Sequence, residues 1–137
     1  MEFKYILLKS SWGIAVTIDM IEIRHDLPMG SDYKINDKII LRAKGFKHLT
    51  VEQVCYWVGK GIEDLATSIS AKLPDQHIIY DLRSVDFSYT DFQLEGLYCA
   101  AQGWLGQYYD FEFPDMNVFF DKIKNKYVFP DLQKYHK

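Results

Sequence analysis

A chain of 137 residues, 48% hydrophobic and 26% charged, is long enough to bury a core without metal or disulfide staples and too apolar to stay disordered. Its formal charge of −3 argues against a nucleic-acid binder. The first apolar run, residues 5–8 between Lys4 and Lys9, is too short for a signal-peptide core or a membrane span, so a cytoplasmic protein with no membrane association is expected.

Phe3, Tyr5 and Leu7 alternate along one strand. After the break at Ser10-Ser11-Trp12-Gly13, Ile14, Val16, Ile18 and Met20 alternate again, which predicts a hairpin. The apolar phase then moves to Ile21 and Ile23, as a bulge near Met20 would require. Residues 25–36, with Pro28, Gly30, Ser31, Asp32 and Asn36, read as a loop, and residues 37–43 as a third strand. Thr50 and Gln53 have capping-box spacing at the head of a helix expected to run to residue 73, before Pro74. Gly59 and Gly61 lie inside that helix. Their helical setting predicts close packing rather than a phosphate-cradling loop.

Residues 77–87 read as a central strand and 91–107 as a second helix, where Thr90 and Gln93 repeat the capping-box spacing. Gly96, Cys99, Ala100 and Gly103 make a small-residue stripe that invites another backbone close. The stretches 117–120 and 126–129 suggest a short terminal hairpin. The expected fold is one α+β domain over residues 1–137. Its order is βββαβα, with a mainly antiparallel sheet, two helices on one face and a short C-terminal extension.

That order resembles the second domain of ribosomal protein S5 and the fourth domain of elongation factor G. Asp91, Gly96-Leu97 and Ala100-Ala101 echo the acid, the small-plus-hydrophobic pair and the paired alanines at the start of that domain's second helix in elongation factor G. Phe92 and Gln93 stand where that pattern has paired serines, and the chain carries no GTPase motif.

No catalytic, metal or cofactor signature stands out. His25, His48, His77 and His136 are not spaced as ligand pairs, Ser10-Ser11 lacks a nucleophile turn, and Cys55 and Cys99 fall in apolar helical patterns expected to hold them buried, reduced and structural. His25-Asp26 is better read as an exposed strand end than as a general base and its orienter. The sequence points instead to binding.

From Ser84 to Asp121, 38 residues contain no Lys, Arg or His, yet carry seven acids and eleven aromatics. The remainder holds all 16 Lys and Arg against 12 acids, so a segment at −7 is joined to a remainder at +4. Within the segment, Tyr108, Tyr109, Asp110, Phe111, Glu112, Phe113 and Asp115 alternate acid with ring. In an extended conformation Tyr109, Phe111 and Phe113 would face one way and Asp110 and Glu112 the other.

With Asp86, Tyr89 and Asp91, these residues form the expected binding surface for a basic protein. Rings supply buried area and carboxylates steer the encounter. A small acidic, aromatic, single-domain chain of this kind is similar in type to bacterial immunity proteins. That resemblance implies a cognate toxin as the partner. An adaptor or chaperone for a basic protein segment, a small enzyme with an unrecognised site, and an edge strand or loop whose rings complete the core and whose acids are merely solvated remain open alternatives, as does the oligomeric state.

Overall fold

The structure, a computed structural model, describes residues 1–112 and 115–136. The predicted N-terminal hairpin is present: β1 (Glu2–Leu8) pairs antiparallel with β2 (Gly13–Ile23). Gly13 serves the close approach of the two strands, because a Cβ there would lie 2.3 Å from the Leu7 carbonyl oxygen. Along β2, Ile14, Val16, Ile18 and Met20 are all buried and face the helices.

Two further strands, β3 (Tyr33–Lys34) and β4 (Ile39–Arg42), precede the helices, so a two-residue strand sits inside the segment expected to be loop. The central strand β5 (Ile78–Phe87) completes a sheet of order β1-β2-β5-β4-β3. β4 runs parallel to β5 and the other pairs are antiparallel, so the sheet is mixed. The chain reaches β5 from β4 through helices, and such a crossover allows parallel pairing.

The register break does fall at Asp19 and Met20, but Asp19 pairs with Ser84 and Met20 with Leu82, which leaves Arg83 of β5 as the extra residue. β2 therefore keeps its alternation. Ile21 and Ile23 lie on the sheet face away from the helices, and Glu22 points to the helix side alongside its pair Tyr80.

The first helix is divided. α1 (Val51–Glu63) carries the full capping box between Thr50 and Gln53, and α2 (Ala66–Lys72) follows a break at Asp64 and Leu65. Asp64 is a weak helix former whose carboxylate is drawn away to the hydroxyls of Tyr98 (2.5 Å) and Tyr135 (2.6 Å).

The last long helix, α3 (Glu95–Tyr109), starts four residues later than its capping-box spacing suggests and has no side-chain cap. Gln93 is occupied elsewhere: its amide accepts from the Tyr127 N–H (2.6 Å) and donates to the Tyr127 carbonyl (2.9 Å), as a neighbouring strand would. Thr90 pairs with Ser88.

The glycines behave as the packing reading requires. A Cβ on Gly61 would sit 2.9 Å from the Tyr98 carbonyl oxygen, and one on Gly96 would sit 2.9 Å from the Ile14 side chain. α3 is thus pressed against both α1 and the sheet, on the same face. A second sheet, β6 (Phe119–Asp121) with β7 (Lys126–Val128), and a 3₁₀ turn (Pro130–Tyr135) close the fold.

Candidate functional site

The expected binding segment begins inside α3. Tyr108 and Tyr109 occupy its last turn, and Asp110 ends it in the left-handed conformation, φ 59°, with the Phe111 N–H returning to the Gly106 carbonyl. The extended, alternating arrangement predicted for residues 108–113 is therefore not formed at its start. Adjacent helical positions point about 100° apart, so the two tyrosines part company.

Tyr108 is 43% exposed and stacks on Trp104 at 4.6 Å. Tyr109 is buried. Its hydroxyl meets that of Tyr80 at 2.7 Å and also bonds the Glu22 carboxylate, which Arg24 holds from the outside. Burial pushes the Tyr109 and Tyr80 hydroxyls well above the ordinary tyrosine range, so both stay protonated. Tyr109 is a core side chain and offers no surface to a partner.

Phe111 is half-buried, its ring 5.3 Å from that of Tyr109, while Asp110, Glu112 and Asp115 are exposed. Phe113 lies outside the described residues. The exposed part of this surface is Tyr108, Asp110, Glu112 and Asp115, with the rim of Phe111.

Asp86, Tyr89 and Asp91 lie elsewhere. Asp86 sits near the C-terminal end of β5 opposite Thr17, and Asp91 ties the loop to β2 through its carbonyl, which accepts the Ala15 N–H at 3.1 Å. Tyr89 is 75% exposed, its ring 5.2 Å from that of His48. These three belong to the N-terminal end of α3. The 15 residues of α3 span about 22 Å, so the expected surface is divided into two.

Electrostatically the segment differs from the rest of the chain. Of the 12 acids outside it, eight lie within ion-pair distance of a Lys, an Arg or the N-terminus. Among the described residues, the seven inside it make no such contact; Glu95 instead lies 3.2 Å from a ring nitrogen of His136. Asp86, Asp110, Glu112 and Asp115 are exposed, and no described residue gives them a counter-charge.

The fold also makes a groove that sequence reading missed. The turns entering α1 and α3 emerge at the same end of the molecule. One cavity of about 340 Å³ lies between His48, Tyr89, Phe92 and Leu94, and another of about 290 Å³ between Leu94, Trp57, Tyr56 and His136. A third, about 300 Å³, takes in His136, Glu95, Lys124 and Lys126. Only the parallel crossover brings these turns together; the two capping-box spacings were the available signal, and one of them is not a cap.

The groove offers rings and the mostly buried carboxylate of Glu95, and neither cysteine lines it. Burial raises the Cys55 thiol and pushes Cys99 up to about 12, which suppresses thiolate at neutral pH. Among the described residues no three His, Cys, Asp or Glu side chains are grouped to hold a metal ion, and no helix is long and apolar enough to cross a membrane. Comparison with known protein families, curated proteins and solved structures finds no match for the chain.

Proposed function

We propose that this protein is a non-enzymatic binder that holds a basic protein on the acidic, aromatic end of α3, and that it acts as an immunity protein neutralising a cognate toxin. One observation carries the reading: among the described residues, the exposed carboxylates of residues 84–121 stand without counter-charges, while most acids elsewhere are paired. Unpaired carboxylates keep their field for an incoming cationic surface and raise its rate of arrival. Tyr108 then supplies a ring already fixed by its stack on Trp104, so little side-chain entropy is lost on docking.

The second surface, around Tyr89, favours a second reading in which the aromatic groove receives the partner. Among the described residues of the segment Tyr89 has the most exposed ring, which lies 5.2 Å from that of His48. The two are separated by Tyr108→Ala and Tyr89→Ala, measured on the partner that co-purifies with the tagged chain. Loss of an anchoring ring shortens the residence time about thirtyfold, for roughly 2 kcal/mol. The proposal expects that loss with Tyr108→Ala and an unchanged residence time with Tyr89→Ala; the reverse result moves the interface to the groove.

Neutralisation is tested by titrating the chain into the purified partner and following its toxic activity. A stoichiometric loss of activity is expected. Full activity in the saturated complex would leave a binding adaptor instead.

A further inference from the structure

The sheet ends differently at its two sides. On one it finishes with β3, only two residues long; on the other it finishes with β1, seven residues without a proline, glycine or bulge. Short, bulged or proline-bearing edges are the usual protection against strand addition. β1 has none of these, and of the charged side chains that also guard edges it carries Glu2 and Lys4, both on the face away from the helices.

Its free side can be assigned. Met1 and Met20 exchange both backbone hydrogen bonds, at 2.9 and 3.1 Å, so in the antiparallel ladder the alternate residues Phe3, Tyr5 and Leu7 face β2. The N–H and C=O groups of Glu2, Lys4, Ile6 and Leu8 then point away from the sheet, and no described residue bonds them. The side chains of these same four residues lie on the sheet face opposite the helices, where Ile6 and Leu8 are 63% and 69% exposed.

We propose that the occupant of this edge is a second copy of the chain, paired antiparallel through β1 about a two-fold axis at Tyr5. An isologous contact must be self-complementary. Since only the even-numbered residues offer outward groups, the possible registers differ in steps of two. The register centred on Tyr5 pairs all seven residues, placing Lys4 opposite Ile6 and Glu2 opposite Leu8 on one face, with Tyr5 opposite itself and Phe3 opposite Leu7 on the other. Moving the centre towards residue 4 sets Lys4 against Lys4, and moving it towards residue 6 leaves Glu2 and Phe3 unpaired. One register therefore combines full overlap with no like-charge pair. The result is a continuous ten-stranded sheet. The dimer is formed by the β1 backbone, and Asp115 of the partner surface lies beside it, lining one cavity with Phe3 and Tyr5; the β1 variants below leave the acids of that surface unchanged.

The wild-type chain should show a concentration-dependent monomer–dimer equilibrium in sedimentation velocity. Ile6→Glu places a carboxylate opposite Lys4 of the second copy, twice by symmetry, and should tighten the dimer about fivefold, the equivalent of ~1 kcal/mol over two cross-strand pairs. Ile6→Lys should weaken it by a similar factor. Adding Lys4→Glu to Ile6→Lys should restore it. Ile6 is largely exposed, so all three variants should melt near the wild type, which separates association from folding. A wild type that is monomeric at every concentration, or a dimer that the Ile6→Glu and Ile6→Lys variants shift in the same direction, overturns the proposal.

Discussion

Two acidic neighbourhoods in this molecule use the same residue type for opposite ends. In the loop before β3, Asp32 is nearly inaccessible; Arg42 bonds both its oxygens, at 2.9 and 3.0 Å, and reaches on to Asp26 and the Leu27 carbonyl. Those carboxylates hold a loop in place. At the far end of α3, Asp110, Glu112 and Asp115 are exposed with no cation beside them among the described residues. The difference shows that acid content alone does not mark an interface. What matters is whether the fold has already supplied the counter-charge, and on that criterion only the second neighbourhood has its field to spare.

The sharpest way to break the comparison is within α3, between the two tyrosines. Tyr109→Ala removes a buried ring and leaves Glu22 with Arg24 alone, so it should destabilise by about 4 kcal/mol in denaturant unfolding. Tyr108→Ala removes a half-exposed ring that stacks on Trp104 and should cost about 1 kcal/mol. Equal losses would mean that Tyr108 is core as well and that the surface lacks its anchor.

Next in size is the Arg42 clasp. Arg42→Met leaves Asp32 buried without its partner and should destabilise by about 3 kcal/mol at neutral pH. The Arg42 hydrogen bonds above all hold Asp32 below the ordinary carboxylate range. A folded-state pKa lower than the unfolded one gives stability that is present above the unfolded value, about 4, and lost as pH falls through the folded one. Wild-type stability should therefore fall in that acid window, and Arg42→Met should flatten the fall. An unchanged acid slope would show that Asp32 is not clasped in solution.

The elements that were legible in the sequence are those fixed by nearby residues. The hairpin follows from alternation in β1 and β2, the head of α1 from Thr50 and Gln53, and the close helix packing from Gly59, Gly61, Gly96 and Gly103. Where distant partners compete for a side chain, local spacing failed. Gln93 has the spacing of a capping residue but brackets the backbone of Tyr127, far along the chain. Tyr109 fits a period-2 surface pattern, yet helix α3 continues through it and delivers its ring to Tyr80 and Glu22. The parallel pairing of β4 with β5 likewise depends on a crossover, and it is this pairing that builds the aromatic groove.

The smallest effect on folding should come with the largest effect on encounter. Asp110→Asn keeps a residue suited to its left-handed backbone, and Glu112→Lys reverses an exposed charge, so the double variant should unfold within about 0.5 kcal/mol of the wild type. The decisive measurement is the association rate of this variant with the co-purified partner across ionic strength. If the unpaired carboxylates steer the encounter, the variant should associate about tenfold more slowly at low salt and converge on the wild type at high salt, with its dissociation rate little changed. Matching association rates at every ionic strength would contradict that role and leave these acids as solvated surface.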